Sequence, residues 1–408
     1  MKHLKENPKC AVIFERLGPY HHARLSAAGR LMQIHAIEAC GMDAFYAWDK
    51  IEGADSFTRI TLSTQGTADQ KWSREIRGEL FKKLDEIRPD VIVVPGWSYI
   101  YAISSLVWSL RTGTPAVVMS ESTEWDERRT PVKEWVKRQL VSLFSSALVG
   151  GQPHASYLHK LGMAKNRIFT GYDAVDNSYF ETQADAIRRQ APEIRSRYGL
   201  PDEYFLASAR FIEKKNLPRL IEAYHLYLQQ AKSNTPGSKT WNLVLLGDGP
   251  LRESLEAQLS SLDLHGFVQM PGFKQYPDLP AYYGCAKAFI HASTTEQWGL
   301  VVNEAMASGL PVLVSNRCGC ACDLVHSGVN GFTFDPCNAS EIAGLMLKIS
   351  TPGFPLASMG SASRASIADK GPESFATGLK SAAAIALKNG PEGGSLIQRL
   401  LLQGLLYR

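Results

Sequence analysis

The chain has 408 residues, 45% of them hydrophobic and 21% charged, with a net charge of +4. That is enough apolar material for two sizeable cores, and too mild a positive balance to argue for a nucleic-acid partner. No run of about eighteen apolar residues occurs and residues 1–8 carry no apolar leader core, so a cytoplasmic protein is expected.

In chain order, residues 10–14 read as a short strand, and 23–39 carry apolar residues at helical spacing. Residues 91–94 form a buried strand closed by Pro95 and Gly96, and 116–119 and 147–149 read as further strands. This alternation implies a parallel sheet covered by helices. Residues 128–144 interleave Arg128, Arg129, Lys133, Lys137 and Arg138 with Trp135, Val136, Leu140, Val141 and Phe144. The plain reading is a helix with a solvated basic face. The alternative is a leaflet-facing helix that makes peripheral membrane contact at the inner face.

The polar stretch 183–200 reads as an interdomain linker, dividing a half at 1–182 from a second at 201–370. The second half alternates again: strands at 205–207, 243–246 and 267–270, helices at 217–230 and 251–262, the last opened by Pro250. Residues 372–388 are helical. In the tail 395–408, Gly404 interrupts a leucine-rich pattern and argues against one continuous helix. Seven scattered cysteines fit reduced thiols. Cys318, Cys320 and Cys322 lack the usual zinc spacing and read as small apolar side chains of a tight loop.

The chemistry concentrates in residues 295–312, Thr-Glu-Gln-Trp-Gly-Leu-Val-Val-Asn-Glu-Ala-Met-Ala-Ser-Gly-Leu-Pro-Val, between apolar strands. Glu296 would stand at the carboxyl end of a parallel strand, where ligands bind in such sheets. A helix starting near Gly299 would turn free amides and its positive dipole end toward the same place.

This segment resembles the Glu-x7-Glu signature of the family-4 retaining glycosyltransferases. Supporting matches are the segment 208–217 with Arg210 and Lys215, the glycine turn 247–250 and the loop 323–332. The resemblance implies the GT-B fold: α/β, two facing Rossmann-like domains with parallel sheets, an interdomain cleft, and last helices returning to the first domain. It implies transfer of a sugar from a UDP- or GDP-linked donor to a hydroxyl of a glycan, small molecule or lipid-linked acceptor. No cofactor beyond this co-substrate and no metal is implied, and the chain has no Asp-x-Asp motif.

By resemblance, Arg210 and Lys215 hold the diphosphate, as a fork and as a point charge. Lys214 is left as a solvated surface cation. Glu296 faces the transferred sugar, Glu304 the ribose, and the backbone at Gly299, Leu300 and Val301 the sugar hydroxyls and distal phosphate. Met270 to Lys274 would meet the base through backbone groups, and Gly18 the diphosphate. Many family members carry a histidine after the strand that matches 116–119. Here Glu121 stands nearest and is the candidate to orient the acceptor hydroxyl. His21 and His22 are open between substrate contact and plain exposure. Two rivals share the fold: a nucleotide-sugar 2-epimerase, and a catalytically silent sugar- or lipid-binding protein.

Overall fold

A computed structural model describes residues 7–40, 56–63, 74–234 and 239–406. The chain divides into two compact units, residues 1–175 with 370–408, and residues 176–369.

The first unit holds a seven-stranded sheet: β1 (Lys9–Phe14), β2 (Gln33–Cys40), β3 (Thr58–Ser63), β4 (Val91–Pro95), β5 (Ala116–Ser120), β6 (Ser146–Val149) and β7 (Ile168–Thr170). All pairings are parallel and the order is β3-β2-β1-β4-β5-β6-β7. Both faces are covered. Ala11, Ile13, Ile92 and Val94 enter one apolar cluster, while Cys10, Val12, Val91 and Val93 enter another. Such strands read as continuous apolar runs because neither face meets water. The C-terminal helix Pro372–Asn389 supplies Phe375, Leu379, Ala383 and Ala386 to the second cluster.

The sequence expectation of a helix over 23–39 is corrected. The helix is Pro19–Gly29, and the chain then turns into β2. Leu25, Ala28, Met32 and Ala36 do keep helical spacing. However, β2 lies between β1 and β3 and is buried on both faces, so periodicity loses its power to tell strand from helix there.

The second unit holds β8 (Tyr204–Ser208), β9 (Asn242–Leu246), β10 (Val268–Gly272), β11 (Ala288–His291), β12 (Val312–Ser315) and β13 (Gly331–Phe334). They form a parallel sheet in the order β10-β9-β8-β11-β12-β13. The chain runs outward from β8 to β10, then returns to β11 on the other side. The loops after β8 and β11 therefore open at the topological switch point, the ligand-binding edge of such sheets.

The expected linker at 183–200 is instead helical, within Asn177–Arg189 and Ala191–Tyr198, and belongs to the second unit. Phe180 and Ala184 are buried, and Ile187 packs on Gly284 of the helix Leu279–Cys285. The charged residues that suggested a linker are the outer face of this amphipathic helix. Two smaller expectations also change. The helix after the 247–250 turn begins at Arg252, with Leu251 rather than Pro250 at its start, and the tail helix runs Leu396–Leu406 straight through Gly404.

Candidate active site

The segment after β8 is held by the glycine turn after β9. Ala209 and Phe211 donate their amides to Leu246 and Asp248 carbonyls at 2.9 and 2.8 Å, and Leu251 donates back to Phe211 at 3.0 Å. Gly247 has φ +135°, and a Cβ there would lie 1.9 Å from the Ala209 carbonyl oxygen. Only glycine permits that approach. The turn thus fixes the backbone on either side of Arg210, whose side chain is half-buried.

Residues Glu213–Lys215 make one 3-10 turn, closed by Asn216 at φ +58°. The Asn216 side-chain Nδ2 donates to the Ala292 and Pro336 carbonyls at 3.1 and 2.8 Å, and the Thr294 backbone amide donates to the Lys214 carbonyl at 2.9 Å. These ties fasten the lysine turn to the end of β11. The consequence is a salt bridge between Lys215 Nζ and Glu296 Oε2.

Glu296 gathers further partners. His291 Nε2 lies 3.4 Å and Ser293 Oγ 3.3 Å from Oε2, and Lys214 Nζ lies 3.9 Å from Oε1. Lys214, expected as a mere surface cation, therefore contributes to this field. Burial pushes the Glu296 carboxyl up, but the His291 hydrogen bond and the charges of Lys215 and Lys214 outweigh it. The carboxyl is held well below the usual range. Burial, as the largest cause, lowers His291, so its ring stays neutral and holds the carboxylate as a hydrogen-bond partner. His291 and Ser293 were not found from the sequence. Their spacing to Glu296 was visible, but nothing there marked a buried histidine as its partner.

The cysteine run supports the same loop. Glu296 bridges Cys318, with the Glu296 amide on the Arg317 carbonyl at 3.3 Å and the Gly319 amide on the Glu296 carbonyl at 3.0 Å. Cys318 and Cys320 are buried and Cys322 is exposed. Among the described residues no group of three or more His, Cys, Asp or Glu is arranged to hold a metal ion.

Gly299 starts the helix Leu300–Ala307 at φ +105°, with its Cβ position 3.5 Å from Glu296 Cγ. The amides of Leu300 and Val301, in the first helical turn, have no hydrogen-bond partner among the described residues. The resemblance assigns Glu304 to a ribose. In the structure Glu304 is 1% exposed and accepts the Tyr283 hydroxyl at 2.6 Å. The Met270 carbonyl accepts Arg252 Nη2 at 3.1 Å, and Lys274 is half-buried in the loop after β10.

Two other candidates, Gly18 and Glu121, sit in the first unit. Gly18 precedes the helix Pro19–Gly29, and its amide donates to His21 Nδ1 at 3.2 Å. Burial and the Arg24 charge push His21 down to about 3, so it is a neutral acceptor committed to this loop. His22 packs edge-on against Phe57. The sequence also missed Glu38, buried at the end of β2. It accepts the Leu17 amide at 3.0 Å, Arg59 at 2.8 and 3.0 Å and Thr61 at 2.6 Å. Glu121 follows β5 and neighbours the buried Asp173 after β7. Burial and the Glu121 charge push the Asp173 carboxyl well up, against the pull of Arg24. The Asp173 carboxyl is therefore biased toward its protonated form.

Residues 190–365, most of the second unit, match the family model described as glycosyl transferases group 1. Over 149 residues the chain is 30% identical to the alpha-monoglucosyldiacylglycerol synthase of Acholeplasma laidlawii, covering 36% of this chain and 35% of that one. It is 26% identical over 257 residues to the alpha-D-kanosaminyltransferase of Streptomyces kanamyceticus, covering 60% and 62%. The chain thus spans less than two thirds of the length of either relative. Anabaena HepE in complex with UDP matches with a TM-score of 0.65 at 17% identity over 91% of this chain and 98% of that one. Sucrose-phosphate synthase from Thermosynechococcus elongatus matches at 0.70 and 17%, over 91% and 97%. The chain has the GT-B fold, two parallel-sheet α/β domains.

Proposed function

We propose that this protein is a retaining, metal-independent glycosyltransferase. It would move a sugar from a UDP- or GDP-linked donor to an acceptor hydroxyl in glycan, polysaccharide or glycolipid synthesis. The observation that carries this reading is the Lys215–Glu296 pair, set against Gly299 and the unpartnered amides that follow it. A departing diphosphate needs fixed positive charge, and here Lys215, Lys214, Arg210 and a helix start supply it from one sheet edge. The names of the relatives, a glycolipid synthase and an aminosugar transferase, and the UDP bound to HepE favour the same chemistry.

In the proposed reaction the bond between the anomeric carbon and the diphosphate oxygen breaks, and the new bond to the acceptor oxygen forms on the same face. The acceptor proton passes to the leaving phosphate oxygen. Lys215 and Arg210 stabilise the charge on that phosphate. Glu296, kept ionised by His291 and the lysines, binds sugar hydroxyls and balances the oxocarbenium-like charge. Gly18 offers backbone to the diphosphate, and Glu121, beside Asp173, orients the acceptor hydroxyl.

The test is a transfer assay with UDP- and GDP-linked sugars and with glycan and diacylglycerol acceptors, in EDTA, with the product anomer read by proton NMR. A product of the donor's own anomeric configuration is the expected result. An inverted product, or turnover only with a divalent metal, contradicts the proposal. Nucleotide release without any acceptor would identify an epimerase instead.

A further inference from the structure

The last helix, Leu396–Leu406, is apolar on two faces. Leu402 is buried in the first unit's core, with Leu401, Leu405 and Leu406 packed beside it. On the outer side stand Leu396, Ile397 and Leu400, with Leu396 73% exposed. A surface helix ordinarily turns one apolar stripe inward and shows water a polar one. A helix that is apolar on both sides has something to cover the second.

A second helix, Pro131–Val141, adjoins it. The Gln398 side-chain amide donates to the Gln139 carbonyl at 3.3 Å and to Ser142 Oγ at 2.8 Å. Trp135 is one turn before Gln139 on the same stripe, and Val132 another turn before that. Both are exposed, Val132 by 72%. Eleven large apolar side chains stand exposed among the described residues, and five of them fall on these two neighbouring helices. That concentration makes a patch rather than scatter.

Cations border the patch. Lys133 and Lys137 pair with Glu127, and Arg129 with Asp126 and Glu127. Arg128, Arg138 and Arg399 are exposed and make no ion pair among the described residues. A second copy seated on the same patch would bring these like charges together. Anionic headgroups would neutralise them while Trp135 and the leucines enter the boundary between headgroups and acyl chains. No described helix is long and apolar enough to cross a membrane, so the contact would lie along the surface.

We propose that the paired outer faces of Pro131–Val141 and Leu396–Leu406 dock this protein on an anionic lipid surface. The proposal is independent of the catalytic reading, since no residue of the patch belongs to the candidate site.

The test is flotation of the full chain with phosphatidylcholine vesicles, with and without phosphatidylglycerol. Two variants accompany it, Leu396→Ser/Ile397→Ser/Leu400→Gln and Arg128→Glu/Arg138→Glu. The wild type should float with the anionic vesicles, and each variant should lose at least about tenfold of that binding. Thermal melts check folding. The arginine pair is wholly at the surface and carries the test if the leucine variant does not fold. Absence of wild-type binding, or equal binding by the folded variants, overturns the proposal. So does a concentration-dependent dimer in sedimentation velocity that the leucine variant abolishes, which would give the face to a second copy.

Discussion

Lys215 and Glu296 are 81 residues apart in the chain and form a salt bridge between the loops that follow β8 and β11. A buried pair of this kind is coupled, so removing either partner leaves the other charge uncompensated. Lys215→Met and Glu296→Gln are each expected to lower transfer at least about tenfold, about 1.4 kcal/mol of transition-state stabilisation. The double variant should lose clearly less than the product of the two single losses, because each single change already breaks the shared interaction. Steady-state kinetics of the three variants is the check, and fully multiplicative losses would deny the coupling.

The pH dependence follows from the depressed Glu296 carboxyl. Its folded pKa lies below the ordinary value of about 4.3, so the ionised carboxylate stabilises the fold fully above that value. This contribution fades as pH falls through the folded pKa. Glu296→Gln should therefore lower the melting temperature at pH 7 and matter progressively less below about pH 4. Melts of both proteins from neutral to acid pH read this directly. A difference that grows on acidification would contradict the assignment.

Two glycines should respond in opposite ways to alanine. At Gly247 a Cβ meets the Ala209 carbonyl oxygen and φ is +135°, so Gly247→Ala is expected to cost at least about 2 kcal/mol and to displace Arg210. At Gly404, inside the helix Leu396–Leu406, a Cβ would have nothing within 4 Å. Gly404→Ala should stabilise by about 0.5–1 kcal/mol. Denaturant melts separate the two.

How far the sequence was legible depends on where each residue's partners lie. The strand cores of β4, β5, β9 and β12 were readable because strands buried on both faces are continuous apolar runs. For β2 the same burial erased the distinction from a helix. The 177–189 helix was hidden because its charged outer face outnumbers Phe180, Ala184 and Ile187. Lys215, Glu296 and Gly299 were legible, since they sit in a spacing that marks a strand end and a helix start. His291, Asn216, Glu38 and Asp173 were not. Glu38 acts on Leu17 and Arg59, each 21 residues away, and only the β1–β2–β3 register brings them together.

Glu38 offers its own prediction. Its four accepted hydrogen bonds hold the backbone just before Gly18. Glu38→Gln keeps the shape but weakens the charge-assisted bonds to Arg59, and should cost about 2–4 kcal/mol of stability. If Gly18 meets the diphosphate, the donor KM should rise several-fold while the acceptor KM stays put. An unchanged donor KM in the folded variant would remove Gly18 from the donor site.

The proposed donor site binds a nucleotide diphosphate through fixed cations rather than a metal. Thermal-shift binding to UDP, GDP and ADP, with and without EDTA, on the wild type and on Lys215→Met, tests it most directly. A rise in melting temperature with one of these nucleotides is expected, indifferent to EDTA and largely lost in Lys215→Met. No rise with any of them, or a rise that EDTA abolishes, would contradict it.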